Sequence, residues 1–360
     1  GHSRSGRQRG LFCGMGACQD CLVEIDGTRG HRACMVEARD GMRVTAQDDT
    51  AATGAAPVPV PVPAMPATEV SVDLMVVGAG PAGLNAALAA RAGGAGVLVI
   101  DERGETGGQY FKPRSAGFRA ATKADAQHRR GTELRARAEA SGADFRTGET
   151  VWHARADDDG GGFDLRTLGP GGQTRIRART VILATGAMER PAMVSGWTRP
   201  GAMTIGAAQT LVRRYGVLPG QQVLIAGHGP LGLQLAAEIC AIGGTVAAVV
   251  ERGRPRPGPA LLRAVAAAPG LVRDGVGYRM RLLRAGVPIL AGWELQDVLG
   301  DPDIEGGRVR RLSDGHTREF GADALCLGDG FAPQAELARL IGVPVRLDPA
   351  TQVPIPIRDD

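Results

Sequence analysis

Runs of apolar residues separated by glycine turns dominate the chain from residue 70 onwards. Residues 70–77 are apolar apart from Ser71 and Asp73, residues 82–92 are rich in Ala and Leu, and residues 97–100 are apolar again. Continuous hydrophobic strands of this kind are typical of a parallel sheet that is covered on both faces. The pattern therefore predicts a strand, a helix and a second strand joined in one βαβ unit.

The same order of elements recurs about 150 residues further along the chain. A strand with the sequence VLIAG is followed by a glycine turn, a helix over residues 231–242 and a strand with the sequence VAAVV. Each of the two βαβ units begins with its own glycine loop. The chain is therefore predicted to be an α/β protein with two Rossmann-like three-layer domains.

The N-terminal region follows a different pattern. Residues 1–47 are rich in Cys and Gly, whereas residues 48–69 are rich in Pro and Ala and contain alternating Pro and Val. Pro at every second position prevents helix formation and ladder pairing, so residues 48–69 are predicted to form an extended, semi-rigid linker. This linker would separate two units that fold independently.

The overall composition excludes several functional classes. Of the 360 residues 43% are hydrophobic and 22% are charged, as in soluble globular proteins. A net charge of +4 spread along the chain and an aromatic content of 4% argue against a nucleic-acid partner. The apolar runs are too short for a transmembrane segment, and the polar, Arg-rich start of the chain does not resemble a signal peptide.

The first glycine loop has the features of a dinucleotide-binding site. It follows a strand, opens a helix and contains Gly78, Gly80, Pro81, Ala82 and Gly83. Gly78 permits the tight turn, Gly80 lets a pyrophosphate approach the backbone, and Gly83 lets the helix lie close to the strand. An acid about twenty residues further on is expected to hold a ribose hydroxyl. Asp101 and Glu102 both satisfy that spacing, and the spacing favours Asp101.

Two further segments resemble the flavoproteins with two dinucleotide-binding domains, the glutathione-reductase-like superfamily. One is Gly-Gly-Gln at residues 107–109, and the other is an apolar strand that ends in Ala-Thr-Gly at residues 184–186. The resemblance implies that the first glycine loop binds FAD. It also implies that Gly108 and Gln109 lie along the flavin, that Thr185 and Gly186 lie near the pyrophosphate, and that the backbone of Val151 holds the adenine.

The second glycine loop contains Gly227, Gly229 and Gly232, and Glu251 ends the strand that follows. In the superfamily this position is the NAD(P)H site, and an acid there favours NAD over NADP because it repels the 2′-phosphate. Leu231 is bulkier than the small residue that usually lets a pyrophosphate settle on the helix. NAD(H) is thus one expected occupant, and the alternative is a domain that is kept for its packing.

Four of the six cysteines are clustered near the N-terminus: Cys13, Cys18, Cys21 and Cys34. The first three have the C-x4-C-x2-C spacing of plant-type [2Fe–2S] centres. The adjacent Gly14, Gly16 and Ala17 leave room for a loop to fold around a cluster. Zinc is the main alternative, but zinc ribbons use paired C-x2-C motifs, and a Rieske centre needs two His ligands where only His31 is nearby. The spacing therefore predicts a [2Fe–2S] cluster.

The combination of segments resembles multi-subunit amino-acid dehydrogenases. The N-terminal segment RGLFCGMGACQDCLVEIDG is similar to the small ferredoxin-like subunit of D-hydroxyproline dehydrogenase, hydrogen cyanide synthase, opine oxidase and heterotetrameric sarcosine oxidase. The segments VVGAGPAGL, LATGAMERP and VLIAGHGPLGLQLAAE are similar to the large flavoprotein subunit of the same group. The resemblance implies a partial β-grasp ferredoxin-like module over 1–47, an FAD domain over 70–192, an inserted NAD(P)-type domain over 193–330 and a return into the FAD domain over 331–360.

This resemblance implies an electron-transfer oxidoreductase that acts on an amino or imino acid and passes electrons between flavin and cluster. A separate D-amino-acid-oxidase-like catalytic subunit would oxidise the C–N bond in a heteromeric complex. The expected location is the cytoplasm, with association to the bacterial inner membrane through the complex as an alternative. Compared with the family, the sequence is expected to be shortened at both ends.

Other functions are excluded or left open by the same residues. Disulfide reductases of the superfamily carry a Cys-x4-Cys pair just past the Gly-Gly, and the stretch QYFKPRSAGF contains no Cys. No individual catalytic residue is singled out. A self-contained NADH-dependent flavin and iron–sulfur reductase remains an alternative, as does a non-catalytic nucleotide-binding scaffold or gene fragment.

Overall fold

A computed structural model describes residues 7–47, 68–121, 124–157, 160–254, 266–349 and 351–357. By contact density the chain divides into two compact units, one formed by Gly1–Ala55 with Glu189–Phe331 and the other by Ala56–Met188 with Ala332–Asp360. Most of the predicted linker, residues 48–67, lies outside the described residues. Its last two positions, 68 and 69, belong to a strand.

The N-terminal module is a small antiparallel sheet. Its elements are β1 (Leu22–Ile25), β2 (Thr28–Arg32), a 3-10 helix (Ala33–Met35) and β3 (Val44–Ala46). The strands lie in the order β2-β1-β3. The tight turn between β1 and β2 uses left-handed backbone at Asp26 and Gly27, with φ values of 49° and 80°.

The first dinucleotide-binding unit is built on a six-stranded sheet. Its elements are β4 (Thr68–Val77), α1 (Pro81–Ala92), β5 (Val97–Asp101), α2 (Ala116–Ala121), α3 (Ala126–Glu139), β6 (Asp144–Thr147), β7 (Thr150–Ala156), β8 (Phe163–Gly169) and β9 (Gly172–Leu183). The strand order is β6-β5-β4-β9-β8-β7. The pairs around β4 and β5 are parallel, whereas β7, β8 and β9 pair antiparallel. Residues 97–100 of β5 are buried, as their apolar sequence predicted, and Asp101 at the end of the strand is buried too.

The second dinucleotide-binding unit follows the first along the chain. Its elements are β10 (Ala187–Glu189), β11 (Ala202–Thr204), α4 (Ile205–Thr210), a π-helix (Leu211–Tyr215), β12 (Gln222–Gly227), α5 (Pro230–Ala241), β13 (Thr245–Glu251), α6 (Pro269–Arg284), β14 (Ile289–Ala291), β15 (Trp293–Leu299), β16 (Gly306–Arg311), β17 (Thr317–Gly321), β18 (Ala324–Gly328) and β19 (Phe331–Pro333). Five of these strands form a parallel sheet in the order β11-β18-β12-β13-β14.

The parallel sheet of the second unit is covered on both faces. One apolar cluster joins its strands to α4, α5 and α6 through residues such as Ala207, Leu235 and Leu282. A second cluster joins the opposite face to the antiparallel sheet β15-β16-β17, with Trp293 and Val309 at its centre. This gives the predicted three-layer architecture, with helices on one face and a small sheet on the other.

The chain ends with a return into the first unit. Its elements are α7 (Glu336–Leu340), β20 (Val345–Leu347) and β21 (Pro354–Pro356). Leu337 and Ile341 pack against the apolar core of the six-stranded sheet, which includes Met75 and Leu98. Within the described residues, no helix combines the length and apolarity that a membrane crossing requires.

Candidate functional site

The four clustered cysteines of the N-terminal module lie in mutual contact. The thiol of Cys13 lies near those of Cys18 and Cys34, and the thiol of Cys34 also lies near that of Cys21. Cys13 is buried, and the other three are partly buried. The loop between residues 13 and 21 and the 3-10 helix that carries Cys34 therefore bring all four thiols to one site.

Backbone N–H groups point at the sulfur atoms of this loop. The N–H groups of Met15 and Cys18 donate to Cys13 Sγ, each at 3.4 Å, and the N–H of Asp20 donates to Cys18 Sγ at 3.5 Å. Hydrogen bonds of this kind stabilise a thiolate relative to a thiol and tune a metal centre that the thiolate binds.

The contacts between the thiols shift their pKa values in opposite directions. Hydrogen bonds from Cys18 and Cys34 hold the pKa of Cys13 well below its usual range. A hydrogen bond from Cys34 lowers the pKa of Cys21 to about 6. The pKa values of Cys18 and Cys34 are raised because each of them supplies the proton of a contact. Such crowding is relieved when the thiols are deprotonated on a metal centre.

Glycine and arginine shape the far side of the cysteine loop. Gly16 has a φ of 81°, and a Cβ there would lie 2.9 Å from Arg32 Nη1 and 3.0 Å from Met35 Cγ. Arg32 Nη1 also donates to the carbonyl of Gly16 at 2.8 Å. The N–H of Ala33 donates to the carbonyl of Cys21 at 3.0 Å, which ties the helix that carries Cys34 to the loop.

The donor set fits a cluster of two irons. Four thiols with backbone N–H donors at their sulfur atoms are the ligand chemistry of a [2Fe–2S] centre. Among the described residues, no three His, Cys, Asp or Glu side chains are arranged as ligands of one metal ion. The four-residue gap between Cys13 and Cys18 differs from the paired C-x2-C motifs of zinc ribbons and matches the spacing of a dinuclear iron centre.

The cysteine loop packs against the second dinucleotide-binding unit. The ring of Phe12 meets Trp197 edge to face, with centroids 5.2 Å apart, and the carbonyl of Phe12 accepts the N–H of Thr204 at 2.9 Å. Gly14 has a φ of 59°, and a Cβ there would lie 2.9 Å from the Cα of Ala207. No pattern in the sequence indicated this contact, because the contacting residues are 185 to 193 positions apart in the chain.

The first glycine loop has three glycines in three different environments. A Cβ on Gly78, whose φ is 103°, would collide with the carbonyl of Ala184, and a Cβ on Gly83 would collide with the carbonyl of Gly78. A Cβ on Gly80 would meet only the Cα of Gly108, at 3.8 Å. The outer glycines are thus required by packing, whereas the middle glycine leaves open space where a pyrophosphate would lie.

The Gly-Gly-Gln segment crosses directly over this loop. Gly108 has a φ of 60°, and a Cβ there would lie 2.7 Å from the Cα of Gly80. The N–H of Gly107 donates to the carbonyl of Ala79 at 2.8 Å. Gln109 is partly buried next to them. The segment therefore lies beside the loop, as its predicted cofactor role requires.

The acid at the end of β5 is bonded to the glycine loop. Asp101 is buried, and its two carboxylate oxygens accept the N–H groups of Ala79 at 2.6 Å and Arg103 at 2.8 Å. Glu102 is exposed. Val151 lies in β7, two residues after Glu149, whose N–H donates to the carbonyl of Asp101 at 3.0 Å. The ribose role of Asp101 or Glu102 and the adenine role of Val151 stay predictions.

Thr185 and Gly186 contact the returning C-terminal segment. Thr185 Oγ1 donates to the carbonyl of Gln334 at 2.9 Å, and the N–H of Gln334 donates to the carbonyl of Gly186 at 3.0 Å. Gly186 has a φ of 77° and open space where a Cβ would be. These bonds join the Ala-Thr-Gly segment that follows β9 to the returning segment at Gln334.

The residues of the first loop fit the pyrophosphate of FAD. Pro81 is the first residue of α1 and Ala82 the second, so the helix begins at the open middle glycine. The first N–H groups of a helix have no intrahelical partner and attract phosphate. The open space at Gly80 and the N–H groups at the start of α1 would hold the pyrophosphate, with Gly108 and Gln109 alongside.

In the second glycine loop the first glycine is crowded and the middle glycine is open, as in the first loop, but the left-handed residue is the middle one, Gly229, with a φ of 98°. A Cβ on Gly227 would collide with the carbonyl of Gly328, a Cβ on Gly232 would lie 3.3 Å from Ile225 Cγ2, and a Cβ on Gly229 would meet nothing within 4 Å. Leu231 packs against the apolar core of the unit. Its side chain is therefore partly turned towards the core, and the fit of a pyrophosphate beside it stays a prediction.

Glu251 lies beside the second loop at the carboxyl end of β13. Its backbone pairs in register with Gly227. Its buried carboxylate accepts a hydrogen bond from Arg279 Nη2 at 2.8 Å. Burial raises the pKa of Glu251, and Arg279 partly offsets that rise. The arginine lies on α6, and no motif in the sequence marks it as a functional residue.

Comparison with known proteins gives two family matches. The family described as pyridine nucleotide-disulphide oxidoreductase matches residues 72–353, and the 2Fe-2S iron-sulfur cluster binding domain matches residues 2–49. These matches confirm the predictions of an FAD-binding oxidoreductase and of a [2Fe–2S] module.

Several curated proteins are similar in sequence. An opine oxidase subunit of Agrobacterium tumefaciens (strain Ach5) is 30% identical over 81% of this chain and 59% of its own length. The alpha subunit of sarcosine oxidase from Corynebacterium sp. (strain P-1) is 33% identical over 74% of this chain and 27% of its own length. The HcnB subunit of hydrogen cyanide synthase from Pseudomonas aeruginosa is 30% identical over 75% of this chain and 59% of its own length. The chain spans 55–59% of the length of the opine oxidase relatives.

Solved structures share the fold. L-proline dehydrogenase from P. horikoshii superposes with a TM-score of 0.66 and 20% identity, over 100% of this chain and 59% of that chain. Thioredoxin reductase of T. acidophilum gives a TM-score of 0.57 and 20% identity, over 78% of this chain and 83% of that chain. These likenesses confirm the predicted α/β fold with Rossmann-like units.

Proposed function

We propose that this chain, which belongs to the pyridine nucleotide-disulphide oxidoreductase family, is an electron-transfer subunit of an amino- or imino-acid dehydrogenase complex. Electrons would pass between FAD at the first glycine loop and a [2Fe–2S] cluster at the N-terminal cysteines. The similarity to subunits of opine oxidase, sarcosine oxidase and hydrogen cyanide synthase supports this class of substrate.

The convergence of four thiols in a chain that also has a flavin-type glycine loop is the observation that carries the proposal. Cys13, Cys18 and Cys21 come from the loop before β1, and Cys34 comes from the short helix after β2, so the pairing of β1 with β2 brings the thiols together. FAD, when bound, can accept two electrons together, and a [2Fe–2S] cluster exchanges one at a time. A chain with both is suited to pass electrons from a two-electron donor to a one-electron acceptor.

The residues of the chain would position the cofactors and tune them. Gly80 leaves the space for the pyrophosphate, and the buried Asp101 holds the loop by accepting the N–H of Ala79. The N–H groups of Met15 and Cys18 at Cys13 Sγ would stabilise negative charge on the sulfur and so affect the cluster potential.

Oxidation of the C–N bond would take place on another polypeptide. The names of the relatives identify each of them as one subunit of an oxidase or synthase. The expected partner is a D-amino-acid-oxidase-like catalytic subunit. The complex would be located in the cytoplasm.

A self-contained NADH-dependent reductase is a second candidate, and the second glycine loop favours it. A Cβ on Gly229 would meet no atom within 4 Å, and α5 begins directly after it. Pro230 has no N–H, so the first N–H groups that the helix offers are those of Leu231 and Gly232. A nicotinamide dinucleotide bound there would make an electron donor available without a partner subunit.

An anaerobic visible spectrum of the purified chain, recorded before and after addition of NADH, distinguishes the two functions. We expect flavin and [2Fe–2S] bands that NADH leaves unchanged, followed by reduction of the cluster when the flavin is photoreduced. Rapid bleaching of the flavin by NADH would instead identify a reductase. Protein without flavin or cluster absorption after reconstitution with FAD, iron and sulfide would refute both.

A further inference from the structure

The carboxylate of Glu251 is the group of the second unit that would discriminate between nucleotides. It ends β13 beside Gly227, at the carboxyl edge of the parallel sheet where dinucleotides bind. The N–H of Arg252 donates to the carbonyl of Gly227 at 3.2 Å, which fixes the end of β13 against the glycine loop. An isolated acid at this position accepts a ribose hydroxyl and repels a 2′-phosphate.

This acid is not isolated, because Arg279 is paired with it. Arg279 Nη2 donates to Glu251 Oε2 at 2.8 Å. The Glu251 side chain is 11% exposed and that of Arg279 is 35% exposed, so the pair is shielded on the acid side and open on the arginine side. A charge pair that is partly removed from water interacts strongly and carries little net charge.

Both members of the pair keep hydrogen-bonding capacity for a ligand. Arg279 Nη2 donates to Glu251 Oε2. In the described part of the chain, the other carboxylate oxygen, Glu251 Oε1, accepts no hydrogen bond. A guanidinium has five N–H donors, so donors remain available for a phosphate. The neighbouring Arg252 is engaged elsewhere, with Asp329 at 3.2 Å and Glu294 at 3.6 Å.

We infer that Arg279 sets the nucleotide specificity of the second unit, so that this unit binds adenine dinucleotides with or without a 2′-phosphate. Arg279 cancels the charge of Glu251 that would repel the phosphate and offers donors to it, while Glu251 Oε1 remains available for a ribose hydroxyl. The inference rests on the second glycine loop binding a dinucleotide and is independent of the electron-relay role. It replaces the expectation that the acid alone makes the site selective for NAD.

Binding of NAD⁺ and NADP⁺ to the FAD-loaded chain, measured by calorimetry, tests this inference without any turnover. The wild-type chain is expected to bind the two with dissociation constants within about fivefold of each other. In Arg279→Gln no positive charge offsets the charge of Glu251. The affinity for NADP⁺ is therefore expected to fall by at least about tenfold relative to the affinity for NAD⁺, a change that corresponds to the loss of one modest interaction.

Three further variants separate specificity from stability. Arg279→Lys keeps the positive charge, so its ratio of dissociation constants for NADP⁺ and NAD⁺ should stay near that of the wild type. The double variant Arg279→Gln with Glu251→Gln should restore the wild-type ratio. Arg281→Gln is the matched control, because Arg281 lies on the same helix over the Tyr278 ring, 5.2 Å from its centroid.

Defined outcomes overturn the inference. One is a wild-type preference for NAD⁺ of about fiftyfold or more, and another is a ratio that Arg279→Gln and Arg281→Gln change equally. Absence of binding of both nucleotides at millimolar concentration would also overturn it. The relay proposal would survive that result, because it is tested on the flavin and cluster spectra.

Discussion

Replacement of Gly14 by Ala tests how the cysteine loop is held on the second dinucleotide-binding unit. Gly14 has a φ of 59°, and a Cβ there would lie 2.9 Å from the Cα of Ala207 and 3.1 Å from its Cβ. Ala207 is fully buried in α4. Because the nearest atom belongs to the backbone, no side-chain rotation can relieve the contact.

Two costs add in the Gly14→Ala variant. An L-residue with a side chain in left-handed conformation costs about 1–2 kcal/mol. Insertion of a methyl group into a packed contact costs about 1–3 kcal/mol more. The total is therefore about 2–5 kcal/mol in the free energy of unfolding of the unit that contains the cysteine loop.

Gly27→Ala is the matched control for Gly14→Ala. Gly27 lies in the same module with a φ of 80°, and a Cβ there would meet nothing within 4 Å. This control should therefore show the conformational cost alone. The free energies of unfolding of the two variants should differ by about 1–3 kcal/mol. Each kcal/mol corresponds to a difference of about 2–4 °C in Tm.

Thermal unfolding followed by far-UV circular dichroism and by the visible absorption of the cluster measures this difference. Gly14→Ala is expected to lose the cluster absorption at a lower temperature than Gly27→Ala and to contain less iron after purification. Equal Tm values and equal iron content in the two variants would refute the contact between the cysteine loop and α4.

Three other predictions concern the cofactors and the pH dependence. Gly80→Val should abolish stoichiometric binding of FAD, because the valine side chain would fill the open space at the loop. The fold itself should tolerate the change, since a Cβ at residue 80 meets only the Cα of Gly108, at 3.8 Å. Retention of FAD, measured by absorbance after denaturation, would contradict the assignment of this loop. Cys18→Ser should remove the cluster and spare the flavin, as iron and flavin analysis will show, and equal loss of both would contradict separate sites. Arg175 hydrogen bonds hold the pKa of Asp164 below its usual value, so the pair stabilises the fold above about pH 4 and this stabilisation is lost as the pH falls through the lowered pKa. Asp164→Asn should therefore lower Tm by a few degrees near neutral pH and not in strong acid, and a deficit that is independent of pH would show that the charge is not responsible.

The apolar runs and glycine loops were predictable because each reflects a constraint between residues close together in the chain. The sequence around residues 70–100 predicted a strand, a helix and a strand, and the structure has β4, α1 and β5 there. The same holds for β12, α5 and β13. A helix that starts at a glycine loop needs the loop, the helix and the preceding strand to be consecutive, so their spacing is visible in the sequence.

The environment of individual side chains was less predictable. Leu231 was expected to hinder a phosphate because of its size, yet it packs into the apolar core. The direction of a side chain at the start of a helix depends on the turn of that helix relative to the sheet, and residue type alone does not determine it. Asp101 was favoured from spacing alone, and its bonds to the N–H groups of Ala79 and Arg103 became known only from the structure.

The α/β class, the positions of the two glycine loops and the four clustered cysteines could be predicted from the amino-acid sequence, because each depends on short-range spacing. Tertiary structure alone decided that Phe12 and Gly14 pack on Trp197 and Ala207, and that Arg279 pairs with Glu251. These partners are far apart in the chain, and only the packing of helices and strands brings them together. Contacts of that kind have no fixed spacing, so no pattern in the sequence records them.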